Sequence, residues 1–201
     1  MKKNIPGLFS FQQLWGCPAL IFLTALFLCG AIAGGAAGHL AADSNPQLIT
    51  QLSVALGAQV EPDAIDGLYA ALGALGWQAA ALLAGWARPA SLFLSLAAMA
   101  RGFALSFSVS ALSGTLGVDG IWQSFAASGA AAVITVPCLL LTAAACFTAA
   151  QQAPHGHKNG YFYALGRYRG VLLLCTLGAM WAAALQVPVG WAVGRWLLGK
   201  G

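Results

Sequence analysis

The chain has 201 residues, 60% of them hydrophobic and only 7% charged, with a formal net charge of +4. A soluble globular domain carries about 25% charged residues, so this composition excludes an ordinary water-facing surface. The modest positive excess is scattered between apolar runs, which is membrane topology and not a nucleic-acid signature.

Apolar runs of roughly 20 residues read as bilayer-spanning helices. The 25 glycines and abundant alanines suit helices that approach closely in lipid. The sequence therefore predicts one all-α integral membrane domain over residues 1–201, a polytopic bundle of about five spanning helices. Helix one is expected at about 17–40, followed by a polar, acidic, extracytoplasmic segment at 41–67. Helix two is expected at 68–87 and ends at Arg88-Pro89. An apolar piece at 90–100 leads to Arg101, and helix three follows at 102–117. Asp119-Gly120 marks a turn. Helix four takes 121–150, with an interfacial turn or two before Gly129. A polar cytoplasmic loop at 151–169 precedes helix five at 170–198, which Pro188 is expected to bend.

Charge sets the orientation. Lys2, Lys3, Arg88, Lys158, Arg167 and Arg169 fall on one side of this layout, and Asp43, Glu61, Asp63, Asp66 and Asp119 on the other. Arg195 and Lys200 run against the trend. Excess Lys and Arg on the cytoplasmic side gives an N-in, C-out chain. Lys2-Lys3, an apolar core and the small run Gly34–Gly38 also resemble a cleaved leader. The long approach to the core, with Phe9, Phe11 and Trp15, and the length of the apolar run favour a retained first span.

Arg101 admits three placements. It lies mid-bilayer within one continuous span over 90–112, where it would mark an ion or substrate path. Or residues 90–100 form a re-entrant or interfacial piece, and Arg101 sits at the cytoplasmic edge. Or it snorkels from a shallow depth. The spacing favours the second, because Pro89 interrupts the chain and about 16 apolar residues follow Arg101.

Residues 100–112, "ARGFALSFSVSAL", resemble the central signature of the stage II sporulation protein M family: a basic residue, Gly-Phe and a small-residue-spaced apolar helix after a proline-containing turn. The run "GWQAAALLAGWARPASLFLSLAAMARGF" upstream and "VITVPCLLLTAAACFTA" downstream, with Pro137, are similar to the same family. The resemblance covers nearly the whole chain. It implies Arg88, Pro89, Arg101, Gly102, Phe103 and Pro137 as signature positions. It also implies a non-enzymatic scaffold of the engulfment machinery in the septal or mother-cell membrane. The implied partners are membrane lipid and the stage II sporulation proteins D and P, which remodel peptidoglycan. Neither nucleic acid nor a cofactor is implied.

Other features read more plainly. Gly30, Gly34 and Gly38 form two overlapping G-x-x-x-G units on one face of helix one. They serve packing against another helix, inside this bundle in preference to another molecule. The five cysteines form no C-x-x-C and are expected to act as small buried hydrophobes. His155 and His157 have no acidic or cysteine ligand nearby, so a solvated loop is expected and not a metal site. Glu61, Asp63 and Asp66 suit a helix start, where carboxylates meet the positive end of the dipole. Tyr161, Phe162, Tyr163, Arg167, Tyr168 and Arg169 suit the headgroup region. No catalytic set emerges from the sequence. The competing function is a membrane subunit of a small-molecule transporter or permease, with discontinuous helices near 88–102 and Pro137.

Overall fold

The structure, a computed structural model, describes residues 16–44, 64–87, 89–125, 129–152 and 160–198. Among these there is no strand. The helices are α1 (Pro18–Ser44), α2 (Ala64–Trp86), α3 (Ala90–Leu116), α4 (Val118–Ser124), α5 (Ala130–Gln152), α6 (Gly160–Gly166) and α7 (Arg169–Leu198). Four carry stretches long and apolar enough to cross a bilayer: Pro18–Ser44, Ala90–Gly114, Ala130–Gln152 and Arg169–Gln186. With α2, of 23 residues, the bundle has five long helices among the described residues.

Local chemistry sets the boundaries. Pro18 opens α1 at the first helical position, where its missing N–H would have no intrahelical partner. Pro89 cannot donate to α2 and stands in extended conformation as the residue before α3. Gly117 closes α3 with φ +60°, a conformation that costs a side-chain-bearing residue, and its N–H donates to the Ser113 carbonyl at 3.0 Å. That single residue turns the chain from α3 into α4.

Residues 90–100 are not a separate re-entrant piece. They are the first turns of α3, which runs unbroken through Arg101 and Gly102. Pro89 ends the previous helix without disturbing the next one, and nothing from Ala90 to Phe103 withdraws a backbone donor. The expected run 121–150 divides into α4 and α5 around Gly129, and the expected loop 151–169 contains α6. The α7 helix continues through Pro188. Arg88, Lys2, Lys3, Glu61, Asp63, His155, His157, Lys158, Lys200 and the greater part of the 41–67 segment lie outside the described residues.

The long helices alternate in direction. Gly30, Gly34 and Gly38 of α1 meet Met99, Phe103 and Phe107 of α3 in the same order, so these two run parallel. Cys17, just before α1, reaches Thr148 near the end of α5, with Sγ and Oγ1 3.7 Å apart. In α2 and α5, Gln78 meets Thr142 and Gly85 meets Cys146, so that pair is parallel. Gly178 of α7 packs on Cys138 and Ile134, while Cys175 lies by Gln78, which sets α7 against α5. The starts of α1, α3 and α7 therefore share one end with the finishes of α2 and α5.

The centre of the bundle is α5, whose buried residues include Ala143, Ala144, Ala145, Cys146 and Ala149. Leu23 of α1 and Leu94 of α3 are wholly buried beside it. Lipid is as apolar as these side chains, so the association gains from close packing and not from leaving water.

Candidate site in the membrane interior

The α1–α3 seam is built from small residues on both helices. A Cβ at Gly30 would strike the Met99 carbonyl, one at Gly34 the Phe103 carbonyl, and one at Gly102 the Phe27 carbonyl. At Gly38 the Phe107 oxygen is 2.7 Å from that position, and at Gly114 the Ala42 Cβ is at 2.7 Å. Ser106 and Ser110 fill the gap over Gly35. Such approach is the geometry that allows Cα–H to carbonyl contacts between helices. Gly30, Gly34 and Gly38 thus face α3 of the same chain. Their complement on α3, the four-residue spacing Ala98, Gly102, Ser106, Ser110 and Gly114, escaped the sequence reading although it was there to be read.

A layer of polar groups crosses the middle of the bundle. Gln78 of α2 is 3% exposed, and its position in an apolar helix was the signal that could have found it. Its carboxamide N–H donates to the Cys175 carbonyl of α7 at 3.4 Å, and its Oε1 accepts the Thr142 hydroxyl of α5 at 2.9 Å. One side chain thereby ties three helices.

Arg101 lies in this layer. It stands eleven residues after Ala90, about 16 Å along α3, or about half of a hydrocarbon core of roughly 30 Å. Its guanidinium carbon sits 5.4 Å from the centre of the Trp77 ring. Trp77, unnoticed in the sequence, supplies a π face for the charge. The unbroken helix overturns the second placement, in which residues 90–100 form a separate piece. Of the remaining signature positions, Phe103 is partly exposed and stacks on Phe107 at 5.9 Å, Pro89 precedes α3, and Pro137 lies on the exposed face of α5. Pro137 donates no hydrogen bond to the Val133 carbonyl one turn earlier. Arg88 lies outside the described residues.

At the end where α2 and α5 finish, α6 folds back onto the bundle. Tyr161, Leu165 and Tyr168 point inward, while Phe162, Tyr163, Arg167 and Arg169 are exposed. The expected aromatic and basic belt is thus divided by helical spacing, with Tyr161 and Tyr168 in the core and its other four residues on the surface. The Tyr161 hydroxyl donates to the Leu82 carbonyl at 3.2 Å. Burial, and then the neighbouring Cys146 thiol, push the Tyr161 phenol well above its ordinary range.

All five cysteines are free. Cys138, Cys146 and Cys175 are buried, Cys17 is half-buried and Cys29 is exposed. Among the described residues, no three His, Cys, Asp or Glu side chains come together.

These elements define a class: an all-α bundle with helices fit to span a membrane. The chain matches no protein-family model, no curated protein and no solved structure.

Proposed function

We propose that the protein is a non-enzymatic membrane scaffold, a fixed frame of helices on which other proteins assemble. The observation that carries this reading is the α1–α3 seam. Backbone lies against backbone from Gly30 to Gly38, so sliding one helix along the other drives Cα atoms into carbonyl oxygens. The Gln78 clasp holds α2, α5 and α7 in the same manner. A platform needs a frame of this kind, whereas alternating access needs helices that rock against one another.

The resemblance of residues 100–112 to the stage II sporulation protein M family supports a narrower form. The frame then serves engulfment, localising the stage II sporulation proteins D and P at the septal or mother-cell membrane. We assign the cytoplasmic end as the one where α1, α3 and α7 begin, since Arg167 and Arg169 stand there and Lys2, Lys3 and Arg88 precede α1 and α3 in the sequence. The N-terminus is inside and the C-terminus outside. Acids then gather in the 41–67 segment, a candidate contact surface.

The test is capture of the tagged protein from gently solubilised sporulating cells, followed by mass spectrometry. Recovery of the two wall-remodelling proteins, lost when segment 41–67 is exchanged, is the expected result. One observation favours a second reading, a transporter subunit: Arg101 at mid-depth in an uninterrupted helix. Recovery of an ATPase or a solute-binding protein with no wall-remodelling partner would establish that reading and overturn the scaffold.

A further inference from the structure

The Arg101 guanidinium stays charged at any physiological pH. It carries five N–H donors and no acceptor. The Trp77 ring meets its charge from one side but accepts no ordinary hydrogen bond. Gln78, the adjacent polar side chain on α2, is engaged with Cys175 and Thr142. Backbone carbonyls within a spanning helix are taken up by their own helix. Among the described residues, Trp77 is the charge partner of Arg101, and no carboxylate stands opposite it.

The surroundings of this pair are open and small. Gly73, one turn before Trp77 on α2, is exposed, with no atom within 4 Å of the place its Cβ would take. Ala80 on α2 and Ala104 on α3, each three residues beyond the pair, are exposed as well. Four and three residues from the pair along a helix is its own face, so this flank of the bundle is uncovered by the rest of the chain.

We propose that Arg101 and Trp77 form a receptor for an anionic lipid, which binds by its phosphate in the groove between α2 and α3. The guanidinium fork matches phosphate oxygens bidentately, and the charge pair removes the need to bring a bare cation into hydrocarbon. An arginine at this depth draws headgroups and water inward and thins the bilayer locally. The small residues Gly73, Ala80 and Ala104 leave room for the phosphate beside the guanidinium. This inference goes beyond the scaffold reading and does not depend on it.

The experiment uses the full chain in neutral detergent. Native mass spectrometry measures retention of phosphatidylglycerol, with phosphatidylcholine as the zwitterionic control and inorganic phosphate as a soluble competitor. The wild type is expected to retain phosphatidylglycerol over phosphatidylcholine. Arg101→Gln should weaken that retention about tenfold or more, and Trp77→Leu should weaken it several-fold. Arg169→Gln, at the exposed start of α7, should leave it unchanged. Displacement by millimolar phosphate, also lost in Arg101→Gln, would keep the site but make its ligand a soluble oxyanion and so overturn the lipid assignment. Equal retention by the wild type and Arg101→Gln, or no preference over phosphatidylcholine, would overturn the proposal. If Arg101→Gln does not yield folded protein, Arg101→Lys decides. It keeps the charge and loses the fork, so retention must fall several-fold, and unchanged retention overturns the site.

Discussion

Gly34 and Gly76 are both glycines in membrane helices, yet they should answer oppositely to the same substitution. A methyl group on Gly34 enters the Phe103 carbonyl, and nothing lies within 4 Å of the place it would take on Gly76. Gly34→Ala should therefore destabilise the protein by about 1–3 kcal/mol, as overpacking does. Gly76→Ala should be neutral or stabilising by about 0.5–1 kcal/mol, because alanine removes backbone freedom from the unfolded chain. Unfolding in mixed micelles, followed by circular dichroism, measures both. Tyr161 gives a second residue-scale test. Tyr161→Phe removes its hydrogen bond to Leu82 and should cost about 0.5–1.5 kcal/mol at neutral pH. Because burial raises this phenol, its neutral form belongs to the folded state. Its contribution is complete below the ordinary tyrosine pKa of about 10 and is lost as pH climbs above that value towards the folded one. Stability of the wild type should thus fall with rising alkalinity, and Tyr161→Phe should flatten the fall.

At the scale of helices, the Gln78 clasp is the testable unit. A double-mutant cycle with Gln78→Leu and Thr142→Val should show a favourable coupling of about 0.6 kcal/mol, at most about 1.7, as interhelical hydrogen bonds in membranes do. Zero coupling would mean that the two side chains act independently. Much at this scale was legible in the sequence. Pro89 marks the end of α2 and apolar length marks the long helices, whereas the turn expected at Asp119-Gly120 falls at Gly117, with Asp119 and Gly120 inside α4. The continuity of α3 through Arg101 was not, and the reason is physical. Pro89 and the apolar run after Arg101 favour a break in the sequence, as does the cost of a charged side chain in lipid. Breaking a helix in lipid strands several backbone groups, each costly where no water can reach. An aromatic face reduces the cost of the charge, and Trp77 lies 24 residues away on another helix, beyond the reach of any local pattern. The Gly30, Gly34 and Gly38 stripe was visible because its spacing lies within one helix. The matching stripe on α3 is just as local, but that the two stripes face each other follows only from the parallel packing of the helices.

For the whole molecule, alternating directions join the positive termini of the layout into one end. The α1, α3 and α7 starts lie together, so the start of α1 and the finish of α7 stand at opposite ends. Among the described residues the frame is asymmetric, with exposed Arg167 and Arg169 at one end, Asp43 at the other, and a polar layer between them. Within it, an unbroken α3 carries both the glycine seam and Arg101. Cysteine accessibility tests this most directly. Single cysteines placed along 90–116 in a cysteine-free background would be treated with a membrane-impermeant thiol reagent from each side of sealed vesicles. An uninterrupted α3 predicts labelling near Ser91 from the cytoplasmic side only, labelling near Leu116 from the opposite side only, and protection of the positions between. Labelling at both Ser91 and Gly102 from the cytoplasmic side, with protection between them, would contradict it, because residues 90–100 would then enter and leave by the same face.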